Sequence, residues 1–89
     1  MASAAGAGDS VDQELIQLVA RNVRATRRAK KLSQAAVASR LGMSTTNYSR
    51  IEAGRQNLTL STLARLAAAL AVRPVDLMRP PKRRAPERV

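Results

Sequence analysis

The apolar residues Val11, Leu15, Leu18, Val19 and Val23 recur at three- and four-residue intervals, which aligns them on one face of a helix running to about Lys31. Ser33 predicts the start of a second helix over Gln34 to Leu41, because a serine hydroxyl accepts from the free N–H groups of a helix N-terminus. Gly42 predicts its end, since glycine enters the left-handed conformation without a Cβ penalty. By the same reasoning Ser44 and Gly54 bracket a third helix, Thr45 to Ala53. Thr59 caps a fourth in which Leu60, Leu63, Leu66, Ala67 and Leu70 keep helical spacing, and Pro74 suits the first turn of a short fifth helix ending near Met78. The fold class is therefore all-α, a compact five-helix domain over residues 11–78 with no internal repeat. Met1 to Gly8 is Ala, Gly and Ser, with too little apolar bulk to pack, so residues 1–10 read as a disordered tail. Arg79 to Val89 holds three of the four prolines and five basic residues, a composition that predicts an extended basic tail over 79–89.

Composition narrows the function. With 89 residues there is room for one domain, and 45% hydrophobic residues with only 1% aromatic demand an aliphatic core, which favours helices over strands. Sixteen Lys and Arg against six Asp and Glu give a net charge of +10, and Glu52 is the only acid from Leu15 through Val75. The basic field thus belongs to the folded domain, while Asp9, Asp12 and Glu14 gather near the start of helix one and suit its dipole. Nucleic acid is the leading polyanionic partner; a solubilising surface and an anionic membrane are the alternatives that charge alone leaves open. The absence of Cys and His removes disulfides, thiolate chemistry, histidine and cysteine zinc sites and imidazole acid–base catalysis, so neither an enzyme, a metal site nor a cofactor is expected. The longest all-hydrophobic run, Leu66 to Val72, is far too short to span a bilayer and Met1 to Ser10 carries no basic residue, which predicts a cytoplasmic protein.

The segment QAAVASRLGMSTTNYSRIEA, Gln34 to Ala53, resembles the helix-turn-helix of the lambdoid-phage repressor and Cro family, also called the xenobiotic response element family. That motif requires a small residue at its fifth position and glycine at its ninth, here Ala38 and Gly42, and apolar residues at five buried positions, here Val37, Leu41, Met43, Tyr48 and Ile51. VRATRRAKKLSQ resembles the end of the family's first helix and SRIEAGRQNLTLSTLARLAAALAV its stretch through helix four, so the resemblance covers Val19 to Met78, roughly two-thirds of the chain. Three residues depart from the pattern: Ala36 stands where an acidic capping-box residue is usual, Leu58 where Pro is frequent, and Ala71 where Gly normally closes helix four. SRIEAGRQNLT also looks like the small controller proteins of restriction–modification systems.

The resemblance implies a lambda-repressor-like domain whose third helix enters the major groove of double-stranded DNA while the second lies across the phosphate backbone. With Tyr48 and Ile51 turned inward, helical geometry leaves Thr45, Thr46, Ser49 and Arg50 outward as base-contacting candidates. Arg50 has the fork geometry for guanine O6 and N7, or else meets a phosphate, and the threonines offer a hydroxyl with a methyl that suits thymine. Gln34, Ser44, Asn47, Arg55 and Asn57 are the phosphate-contacting candidates. Glu52 would repel phosphate unless neutralised; the family pairs this acid with an arginine of helix one, here Arg27, and the local alternative is Arg55 at i+3. The family places its dimer contact near the last helices, which points to Val72, Val75, Leu77 and Met78, residues that could instead close the core.

The resulting reading is a sequence-specific transcription regulator, a repressor or autoregulator, acting as a homodimer on an inverted repeat. An antitoxin-type module that captures a protein partner through the C-terminal tail and binds DNA secondarily is the alternative.

Overall fold

The computed structural model describes residues 2–80, with side chains from Asp12 onward. It has four α-helices, α1 (Ala2–Ala29), α2 (Gln34–Leu41), α3 (Thr45–Glu52) and α4 (Leu60–Leu70), and a single 3-10 helix over Pro74–Leu77. The expected short fifth helix is a single 3-10 turn. Its four residues are too few to propagate an i to i+4 ladder, and Asp76 closes the turn by accepting from the Arg73 backbone N–H at 3.0 Å. Helix α1 starts nine residues before its apolar periodicity, in a segment whose composition suggests a tail; alanine, the strongest helix former, supplies that backbone preference. Asp12 and Glu14 consequently lie well inside α1 and not at its first turn.

The short helices start where their caps place them. The hydroxyls of Ser33, Ser44 and Thr59 accept from the backbone N–H groups of Ala36, Asn47 and Thr62 at 3.0, 3.1 and 3.0 Å. All four helices end alike, in a paired backbone motif whose outer N–H reaches back five residues: Leu32 to Arg27, Met43 to Ala38, Arg55 to Arg50, and Val72 to Ala67. The residue inside each pair is left-handed: Gly42 and Gly54 at φ +69° and +71°, but Lys31 and Ala71 at φ +59°. A side chain at such a position costs roughly 1 kcal/mol relative to glycine. Ala71 therefore keeps the family's left-handed turn without the family's glycine. The apolar residues that follow three of these turns, Leu32, Met43 and Val72, pack against the core and help hold them.

The core joins Val19 and Val23 of α1, Val37, Ala38 and Leu41 of α2, Tyr48 and Ile51 of α3, and Leu63, Leu66, Ala67 and Leu70 of α4. Leu77 of the 3-10 helix is fully buried among them. Helix α3 packs against α1 and α2; α4 packs against α1 and α2; the 3-10 helix closes over α1 and α4. Asn22 fastens that closure by donating to the carbonyls of Leu77 and Arg79 at 2.9 and 2.7 Å. The buried face of α1 is turned relative to the pattern read from sequence: Val19, Ala20 and Val23 are buried while Leu15 is 43% exposed. Of the four residues expected at a dimer contact, Leu77 is corrected to core, and Val72 is packed against it; Val75 and Met78 remain 49% and 38% exposed.

Candidate nucleic-acid interface

Because Tyr48 and Ile51 are buried, the opposite side of α3 faces outward, and its residues form a shallow groove with their neighbours. Thr45, Thr46, Ser49 and Arg50 line this groove together with Gln34 from the start of α2 and Ala53 and Arg55 from the end of α3. Six of the nine residues nominated for DNA contact are thereby brought to one surface. Ser44, Asn47 and Asn57 are exposed but do not line it. Ser44 uses its hydroxyl oxygen as the cap of α3, which leaves its O–H free to donate. Asn57 borders a different, apolar groove between α1 and the start of α4.

Gly42 and Gly54 fix the groove's frame in different ways. A Cβ at Gly42 would meet nothing within 4 Å, so this turn needs glycine for its backbone angle alone. A Cβ at Gly54 would lie 2.3 Å from the Gln17 amide, whose Nε2 donates to the Gly54 carbonyl at 3.2 Å. The turn after α3 is therefore held against α1 through the Gln17 side chain.

Behind the groove Glu52 is only 4% exposed. Its carboxylate accepts from Arg27 Nε at 2.5 Å and Nη2 at 3.1 Å, from the Tyr48 hydroxyl at 2.5 Å, and from Gln34 Nε2 at 3.0 Å. The third guanidinium nitrogen, Arg27 Nη1, donates to the Leu32 carbonyl at 2.8 Å. This bidentate pair ties α1 to α3, and the local alternative, Arg55, lies exposed in the groove instead. Burial by itself would push the Glu52 carboxyl up; the donors from Arg27, Tyr48 and Gln34 outweigh it and hold the group below the usual carboxylate range. Burial, and then the adjoining carboxylate, push the Tyr48 hydroxyl well above the ordinary tyrosine value. The negative charge nearest the groove is thus matched and enclosed, so it does not oppose a polyanion.

Sequence reasoning missed two members of this network. Tyr48 stands one helical turn before Glu52, and the spacing was a usable signal. Gln34, a phosphate-contacting candidate by its position, instead donates its amide to Glu52. A carboxylate can only accept, which fixes the amide with its nitrogen inward.

Comparisons with known proteins agree with this geometry. A helix-turn-helix domain family model matches residues 18–80. A hypothetical transcription factor of Neisseria meningitidis is 37% identical over 73 residues, covering 82% of this chain and 69% of that protein. An HTH-type transcriptional regulator of Sinorhizobium fredii is 42% identical over 67 residues, covering 75% of this chain and 87% of its own. The crystal structure of the hypothetical transcription factor NHTF from Neisseria superposes with a TM-score of 0.73 at 37% identity, over 79% of this chain and 80% of that one. The restriction–modification controller protein C.AhdI from Aeromonas hydrophila superposes with a TM-score of 0.66 at 31% identity, over 70% of this chain and 94% of that one. No helix among the described residues is long and apolar enough to cross a membrane. Matching sequence relatives along three-quarters or more of its length, and carrying the motif on helices packed as the motif requires, this chain belongs to the helix-turn-helix family of DNA-binding transcription regulators, of the phage-repressor and Cro-like type.

Proposed function

We propose that the protein is a sequence-specific repressor or autoregulator that reads duplex DNA with α3, as a homodimer on an inverted repeat. The observation that carries this reading is the groove of Thr45, Thr46, Ser49 and Arg50, flanked by Gln34 and Arg55, with the acid behind it, Glu52, neutralised by Arg27. Arg50 is exposed and unpaired within the described residues, free to fork onto a guanine edge. Ser44, Asn47, Arg55 and Asn57 supply phosphate contacts around it, and Gln34 contributes through the free N–H groups at the start of α2 more than through its amide. One such helix reads only a few base pairs, too few to single out a site, so two copies are needed. Their helices would enter successive major grooves about 10 base pairs, or about 34 Å, apart. For the contact between copies, the exposed Val75 and Met78 are joined by Leu60, 79% exposed, and Leu15. Leu15, Leu60 and Met78 border one continuous apolar groove with Ile16, Leu58 and Leu63. The likeness to a restriction–modification controller protein supports a regulatory role.

Selection of bound sequences from a random duplex pool tests the reading. An inverted repeat with half-sites one helical turn apart is expected, with Arg50→Ala relaxing one base position in each half-site and Arg55→Ala weakening all sequences alike. Recovery of no consensus, or equal losses for both variants on specific and random DNA, would refute it.

A further inference from the structure

The folded part of the chain carries more cations than its reading surface uses. Arg27 is paired with Glu52, and Arg73 and Arg79 gather around Asp76. Arg40 and Arg65 donate to the carbonyls of Ala69 and Leu41, and the Lys30 amine lies 3.3 Å from the Ala71 carbonyl, so these three close helix C-termini. Arg50 and Arg55 line the reading groove. There remain Arg21, Arg24, Arg28 and Lys31, all exposed and all without a side-chain partner among the described residues.

Three of them, Arg21, Arg24 and Arg28, lie on α1, where at about 100° per residue they fall within an arc of roughly 60°; Lys31 follows in the left-handed turn that closes the helix. Two contacts set the bearing of that arc. Gln17 donates to the Gly54 carbonyl, and Arg27 reaches Glu52. Gln17 stands seven residues before Arg24 and eleven before Arg28, which places all three within about 20° of one line along the helix. The face of α1 that meets the turn after α3 therefore continues into the basic stripe, beside Ala53 and Arg55 at one end of the reading groove. Leu15 and Asn22, which serve the apolar groove and the 3-10 helix, lie on the other side of the buried face.

The backbone gives a second observation. Lys31 occupies a left-handed turn that glycine would fill with less strain, and its ammonium binds nothing in the described chain. The turn itself is set by packing of Leu32, so the Lys31 ammonium is left free to meet an anion outside the fold.

We infer that this stripe is a second phosphate-contacting surface, which follows the backbone of the duplex flanking the half-site read by α3. The inference rests on α3 being the recognition helix. From Arg21 to Arg28 the helical stripe spans about 10 Å, the axial length over which one DNA strand carries about three phosphates, so its three arginines match the spacing of the partner. The contacts add affinity without sequence preference, because phosphates carry no base information.

The test uses the full chain in fluorescence anisotropy, on duplexes that end at the half-sites and on duplexes extended by about ten base pairs at each end. Wild type is expected to bind the extended duplex more tightly and with a steeper fall of log affinity on log salt. Arg24→Gln with Arg28→Gln should lower that slope by about 1.8 per protomer, remove the advantage of the extended duplex, and leave the order of preferred sequences unchanged. Lys31→Gly should lower the slope by about 0.9 while raising the melting temperature, opposite signs that a purely structural lysine would not give. An unchanged slope and length dependence in the double variant, or a loss confined to the preferred sequence, would overturn the inference while leaving α3 as the reader. A wild type that binds no duplex would refute the reading of α3 and this inference with it.

Discussion

Replacing Arg27 by alanine strands the Glu52 carboxylate in the interior, and the structure allows the cost to be bounded. Removing one partner of a buried ion pair destabilises by about 3–5 kcal/mol, because the remaining charge has lost its counterion but not its burial. Here Glu52 keeps two neutral donors, Tyr48 and Gln34, and the Arg27 side chain is itself 12% exposed. Those features place Arg27→Ala near the low end, about 3 kcal/mol. Glu52→Ala leaves the guanidinium bonded to the Leu32 carbonyl and able to reach water, so about 2–3 kcal/mol is expected. The double variant removes both charges and should cost about as much as either single one, a coupling of about 2–3 kcal/mol. Total stability for a domain of this size is roughly 3–10 kcal/mol, so each single variant should visibly lower the melting temperature. Urea denaturation of the four proteins followed by circular dichroism at neutral pH gives the cycle directly. Additivity to within about 0.5 kcal/mol would refute the argument, since it would mean that the two groups are solvated independently.

Other consequences follow from the same geometry. Glu52 has a depressed carboxyl in the fold, so its contribution is present above the ordinary carboxylate value of about 4.3 and is lost as pH falls through the lower folded value; Glu52→Gln should flatten that acid limb in a melting-temperature profile. Tyr48 has a raised hydroxyl, so stability should fall as pH rises past its unfolded value of about 10, and Tyr48→Phe should remove that alkaline limb. Ala71→Gly should stabilise by about 0.5–1 kcal/mol in thermal melts, because it relieves a left-handed alanine; a destabilised variant would show that the turn carries no strain. Leu77→Glu should unfold the domain, by circular dichroism, whereas Leu60→Glu with Met78→Glu should stay folded and run as a monomer by light scattering with lost inverted-repeat binding; a folded Leu77→Glu would contradict its burial.

What the sequence determined by itself is what local chemistry dictates. Ser33, Ser44 and Thr59 place three helix starts through their own hydroxyls, and Gly42 and Gly54 place two helix ends through their own backbone freedom, so no distant residue was needed to read them. The outward set Thr45, Thr46, Ser49 and Arg50 follows from helical period with Tyr48 and Ile51 inward. The Arg27–Glu52 tie came from resemblance, since 25 residues separate its ends and no periodicity links them.

Tertiary structure decided the remainder. Whether Leu77 or Met78 meets solvent depends on how the 3-10 turn docks on α1 and α4, a choice between neighbouring apolar residues that composition cannot make. The Gln34 amide is turned inward only because α3 delivers a carboxylate beside it. Lys31 and Ala71 are left-handed because Leu32 and Val72 must return to the core, so packing outweighs a local preference worth roughly 1 kcal/mol. The basic residues of α1 were legible as charge but not as a stripe beside the reading groove, because their bearing is fixed only where Gln17 meets Gly54 and Arg27 meets Glu52. Period sets which residues share a face; the contacts made by that helix set where the face points.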